Sequence, residues 1–162
     1  MDGNTIIVGM ADLRAARRPV SLTTLGLGSC VGIALFDKLS GVIGMAHCML
    51  PDSRQIQSGG NPAKFVDTAV VKLILEMARI GARKDLLRAK LAGGAQMFAG
   101  VGMNDIMRIG ERNVEAAITT LSAYNIPIMA RATGESFGRT ITLSSLDYSL
   151  NVKTIEHGCR TI

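Results

Sequence analysis

Two side chains within one stretch, Ser21 to Ser53, carry the chemistry of a nucleophile and a base. Cys30 offers a thiol and His47 an imidazole. An unperturbed thiol titrates at about 8.5, so a cysteine nucleophile needs a neighbouring base or donors that stabilise its anion. Gly26 and Gly28 allow a sharp turn before Cys30 and leave amide N–H groups near the sulfur. Ser29 adds a hydroxyl and another amide. Gly28 and Ser29 are therefore the candidates for binding substrate or a developing oxyanion. Taken singly, Cys30 reads as a small buried hydrophobe and His47 as a core histidine bonded to a carbonyl. Only their pairing points to a cysteine hydrolase, with His47 taking the thiol proton and returning one to the leaving group.

The elements that must position the pair are two strands. Val31 to Phe36 and Gly41 to Leu50 are apolar and β-prone, and Asp37-Lys38-Leu39-Ser40 lies between them. That is a hairpin signal. A four-residue loop over 37–40 closes Phe36 against Gly41 and sets Cys30 directly opposite His47. Directly opposed Cβ atoms lie roughly 4.5–5.5 Å apart, which suits a sulfur–imidazole contact. A slip of one residue would send the two side chains to opposite faces.

A third group should orient the imidazole or the substrate. Thr23, Thr24 and Ser29 are near in sequence, and Asp37 and Asp52 supply carboxylates from what read as turns. Cys48 falls on the face away from the pair and reads as core. Cys159 and His157 lie near the C-terminus without a partner in sequence. Gly26-x-Gly28 lacks the third glycine of a dinucleotide fingerprint, and no Walker lysine follows Gly93-Gly94. His47 and Cys48 are adjacent, which is poor geometry for one metal, and no CxxC occurs. No metal and no cofactor are expected.

The totals fit one globular domain over residues 1–162, with 48% hydrophobic and 19% charged residues. Trp is absent, so the core must be aliphatic, with nine Met filling gaps. Three cysteines without regular spacing argue against a disulfide framework. The N-terminus lacks a basic stretch leading into an apolar core, and no apolar run reaches the roughly 18 residues that span a bilayer. A cytoplasmic protein with reduced thiols and no membrane insertion is expected. The net charge of +5 gathers at Arg14, Arg17 and Arg18 and again from Arg79 to Lys90. Without an arginine-rich run or an aromatic platform it reads as a solvated basic surface, not a nucleic-acid site.

Further strands are expected at Thr5–Val8, Val20–Leu25, Leu87–Ala92, Ile126–Ala130, Arg139–Leu143 and Leu150–Ile155, with a turn over Thr133–Gly138. Met10–Arg18 reads as a connector or short helical turn. Pro51–Gly60 reads as a loop suited to contacting substrate, and Ala99–Ile109 as a second loop. Asn61-Pro62 starts a helix whose apolar residues recur from Phe65 to Ile80 until Gly81 stops it. A second helix opens at Gly110-Glu111-Arg112-Asn113 and runs to about Tyr124. This order favours α+β with a mixed sheet over a regular βαβ alternation.

TLGLGSCVGIALFD followed by GMAHCMLPDS resembles CheD, the chemoreceptor glutamine deamidase family of bacterial and archaeal chemotaxis. The resemblance extends to LAGGAQMF at 91–98, IGERNVEAAITTL at 109–121, IPIMA at 126–130 and Gly138-Arg139. It implies a three-layer α/β/β sandwich similar to that of toxin-type cysteine deamidases. It implies conversion of chemoreceptor glutamines to glutamates with release of ammonia, through a thioester, and for some members hydrolysis of glutamyl methyl esters. Cys30, His47 and Thr24 match the family's catalytic residues. The partners it implies are chemoreceptor cytoplasmic domains and, in some organisms, a CheC-type phosphatase. A non-catalytic adaptor for those partners, or a hydrolase of small amides or esters, remains an alternative. Departures lie at Gly134-Glu135, where the family often has Gly-Gly, and at Tyr148-Ser149, where a Thr-Gly hairpin is usual.

Overall fold

The computed structural model describes residues 4–55, 60–97 and 108–162. Residues 99–107 of the expected loop Ala99–Ile109, and residues 56–59 of the loop before Asn61, lie outside the described residues, while Ile109 already belongs to a helix. The elements are β1 (Thr5–Ile7), β2 (Asp12–Arg17), β3 (Ser21–Leu27), β4 (Val31–Asp37), β5 (Val42–Cys48), α1 (Val66–Arg79), β6 (Arg88–Gly93), α2 (Ile109–Ala123), β7 (Ile128–Thr133), β8 (Arg139–Ser144), β9 (Leu150–Thr154) and β10 (Gly158–Thr161). They build two mixed five-stranded sheets. The outer sheet has the order β1-β3-β8-β9-β10 and the central sheet β2-β5-β4-β6-β7. The expected α+β class and three-layer α/β/β sandwich are what the molecule has.

Alternation along β4 and β5 creates the layers. Val31, Ile33 and Leu35 of β4 and Val42, Ala46 and Cys48 of β5 pack against α1 and α2. Ala34 and Phe36, with Ile43 and Met45, point the other way and meet Leu22, Ile141 and Leu143 of the outer sheet. Every residue of β4 and β5 is buried, so these strands read as continuous apolar runs. In α1, Val66, Ala69, Val70, Leu73, Ile74 and Met77 form the buried stripe. Asn61 accepts the Ala63 N–H and Pro62 follows it, as expected of a helix start, but they open a short 3-10 turn and α1 begins at Val66. No helix among the described residues is long and apolar enough to cross a membrane.

Three expectations need correction. Met10–Arg18 is mostly strand: β2 pairs antiparallel with β5 along the edge of the central sheet. Arg14 and Arg17 point to solvent there, and edge charges of this kind hide a strand pattern while blocking further pairing. The short edge strand β10 was not expected from its polar sequence; it pairs with β9. The hairpin register also differs. Asp37 pairs with Val42, so the loop is Lys38–Gly41, and Gly32, not Cys30, sits opposite His47. The cause is local. Gly41 takes a φ of 74°, which suits a turn and not a strand, and the Asp37 carboxylate accepts the Leu39 N–H and the Ser40 hydroxyl.

Candidate functional site

His47 follows Ile43 and Met45 on the face of β5 that looks toward the outer sheet. Thr24 reaches it from β3, across the gap between sheets. Thr24 Oγ1 lies 2.7 Å from His47 Nδ1 and 2.6 Å from the Val8 carbonyl oxygen. These two contacts fix the proton positions. A threonine hydroxyl has one hydrogen, and a carbonyl can only accept. The hydroxyl therefore donates to Val8 O and accepts from Nδ1–H. Nε2 is left as the bare lone pair. Nε2 is buried and has no hydrogen-bond partner among the described residues. Burial also lowers the affinity of His47 for a second proton. The ring is held as a neutral base.

Cys30 lies in the turn before β4 and belongs to the inter-sheet hydrophobic cluster that includes Leu27, Ala92 and, at its edge, Met49; no hydrogen bond joins its sulfur to His47 Nε2. It is 9% exposed. Its carbonyl accepts the Gly94 N–H at 2.8 Å, and the Gly28 carbonyl accepts the Ala95 N–H at 2.8 Å. A side chain at Gly93 would collide with the Cys30 carbonyl, so this close backbone approach depends on glycine. Burial pushes the thiol up, opposed by its own backbone N–H. The resting pair is thus thiol and neutral imidazole. Because the register differs by two residues and not one, Cys30 keeps the parity of His47's face, but on the diagonal and not directly across.

The oxyanion candidates fare unequally. Gly28 N–H already donates to Gly26 O at 3.1 Å, so that amide is engaged. The Ser29 carbonyl is held by Asn113, a residue the sequence reading missed. Asn113 is the fifth residue of α2, with 0% exposure. Its Nδ2 donates to Ser29 O at 2.9 Å and to Met49 O at 3.0 Å. One amide thereby ties the residue before Cys30 to the residue two beyond His47, just past the last β4–β5 pair, Val31 with Cys48. Gly110 permits this, since a side chain there would strike the Gly94 and Ala95 carbonyls. The sequence signal was slight: a polar residue on the apolar stripe Val114, Ala117, Leu121.

The other candidates have structural roles. Thr23 Oγ1 donates to Ile141 O within the outer sheet. Asp37 closes the hairpin and accepts the Arg83 N–H. Asp52 is held to about 2 by hydrogen bonds from Arg54. Cys48 is sealed on the helix side, where burial pushes its thiol far up. Cys159 is exposed on β10, and the His157 ring packs against Phe137 with centroids 4.4 Å apart.

An α/β/β sandwich with a histidine, a threonine and a cysteine gathered between its two sheets defines an α+β domain with a candidate cysteine–histidine site. The family described as CheD chemotactic sensory transduction matches residues 49–154. The probable chemoreceptor glutamine deamidase CheD of Caldanaerobacter subterraneus subsp. tengcongensis is 49% identical over 162 residues, covering 100% of both chains. The chemoreceptor glutamine deamidase CheD of Halalkalibacterium halodurans is 46% identical over 160 residues, covering 98% of this chain and 99% of that one. This chain belongs to the CheD family. Among solved structures, the Bacillus licheniformis hypothetical protein YfiH aligns with a TM-score of 0.46 and 13% identity, over 77% of this chain and 51% of that one.

Proposed function

We propose that this chain is a chemoreceptor glutamine deamidase in which Cys30 is the nucleophile, His47 the general base and acid, and Thr24 the group that sets the imidazole tautomer. The observation that carries this reading is the hydrogen bond from Nδ1–H to Thr24 Oγ1, which leaves Nε2 unprotonated on the face of β5 that looks toward the outer sheet. The substrate class comes from the relatives, whose names are those of chemoreceptor glutamine deamidases.

The chemistry follows from the protonation states. Sulfur attacks the side-chain amide carbon while Nε2 takes the thiol proton. A thiol kept protonated by burial makes this transfer part of the attack, not a step before it. The carbon–nitrogen bond then breaks as His47 returns the proton to the departing nitrogen. Ammonia and a thioester result. Water, deprotonated by Nε2, cleaves the carbon–sulfur bond and gives glutamate, and the thiol recovers its proton. A glutamyl methyl ester can follow the same path with methanol as the leaving group. Oxyanion contacts fall to the Ser29 and Cys30 amides, since Gly28's is engaged.

Incubating the protein with a chemoreceptor cytoplasmic fragment and measuring ammonia together with the fragment's mass tests the proposal. The expected result is the mass change of amide to acid, one ammonia per event, lost in Cys30→Ala. Tight binding of the fragment without any mass change would overturn it in favour of an adaptor.

A further inference from the structure

One cationic cleft has no part in the chemistry above. It opens beside the turn Thr133–Gly138 in two adjoining lobes of about 460 and 750 Å³. Arg131, Arg139 and Arg160 line the first lobe, with Glu135 as its carboxylate, while Lys153, on the other face of β9, and Glu156 line only the second. In the first lobe three cations thus outnumber one anion. Among the described residues none of these arginines has a carboxylate oxygen within ion-pair distance.

Arg139 gives the cleft a built wall. It is 4% exposed, donates from Nη1 to Gly134 O at 3.0 Å, and lies 4.6 Å over the Phe137 ring, which in turn packs on His157. A nearly buried guanidinium without a counter-ion is costly unless something anionic reaches it. Burial weakens Arg139's hold on its proton; the Glu135 carboxylate opposes this, and the charge of Arg160 adds a smaller push in the same direction as burial. A carboxylate entering the cleft would offset the cost of burying that charge.

The cleft is also coupled to the candidate site by backbone. Gly134 N–H donates to Gly93 O and Gln96 N–H to Glu135 O. The same segment donates from Gly94 to Cys30 O and from Ala95 to Gly28 O. Leu25 and Gly26, on the approach to Cys30, form part of the cleft's rim. The Gly93–Gln96 segment is thus hydrogen-bonded to the cleft's turn on one side and to the Cys30 turn on the other.

We propose that this cleft is the docking site for acidic side chains of the protein substrate, carboxylates that flank the glutamine presented to Cys30. The inference rests on the deamidase reading for the identity of that substrate, and it adds a source of selectivity outside the reacting atoms. Arg131 and Arg160 are exposed and carry the test; Arg139 is avoided because its burial ties it to folding.

The experiment compares wild type with Arg131→Glu/Arg160→Glu on two substrates: a receptor cytoplasmic fragment and a small neutral glutaminyl peptide. Affinity for the fragment is measured by calorimetry in parallel with turnover. The expected result is a KM and Kd for the fragment raised roughly tenfold in the variant, with kcat and peptide turnover unchanged. Wild-type KM should climb with salt and the variant's should stay flat. Equal fragment affinity and equal salt dependence in both proteins would overturn the cleft proposal while leaving deamidation intact. Charge-dependent binding without turnover would instead uphold the cleft and overturn the deamidase reading.

Discussion

The two faces of β4 and β5 are both buried and chemically opposite. On the helix side, Cys48 sits among Val31, Ala46 and Val66, and its thiol is inert. On the other side, one residue away in sequence, His47 meets a threonine from the opposing sheet. Burial alone therefore does not make a residue reactive. The outer sheet supplies a polar hydroxyl to His47, where the cluster around Cys48 supplies aliphatic side chains such as Val66 of α1. A β-strand's two-residue period is what lets adjacent residues belong to such different environments.

Substitutions should separate those faces sharply. Cys30→Ala should abolish ammonia release while Cys48→Ala leaves it at the wild-type rate; comparable losses in both would erase the distinction. His47→Gln should lower kcat by ~10²–10⁴, as for loss of a positioned general base. His47 also gives a pH signature. Its folded-state affinity for protons is lowered, so below about 6.5 the unfolded chain binds more protons than the native one. Stability should then fall as pH drops through that range, and denaturant titrations of His47→Gln should show a shallower fall. Activity should keep its base form to a pH below the usual histidine midpoint.

Smaller effects follow from the supporting residues. Thr24→Val keeps shape but strands Nδ1–H, a loss of about 1–3 kcal/mol that should appear in kcat and not in KM. Asn113→Ala frees the Ser29 and Met49 carbonyls, with a stability cost also of ~1–3 kcal/mol read from chemical denaturation. The smallest change should come from Cys48→Ala, at roughly 1 kcal/mol of stability and no shift in the pH–rate profile.

What could be read from the chain alone was set by the range of the forces involved. The strands β4 and β5 declare themselves because both faces are apolar, and the hairpin between them is a local event. Its register was off by two because the pull of Gly41 into the turn outweighed its place in an apolar run. Cys30 and His47 stood out because reactive types are rare here, with two histidines in 162 residues. Thr24 carries no such mark: strand propensity explains it equally well until β3 is laid over β5. Asn113 is invisible for the same reason, since its worth lies in two carbonyls from distant turns. The edge strands β2 and β10 were hidden by their arginines and small residues.

The threonine hydroxyl belongs to one sheet and the imidazole to the other, so tautomer control depends on how the two layers slide past each other. Shear of about an ångström would leave every strand ladder and helix in place, yet it would uncouple the ring from the oxygen that steers it. Turnover should therefore fade in mild denaturant before circular dichroism registers any change. On the proposed mechanism, loss of turnover would report a misaligned sandwich before loss of fold does.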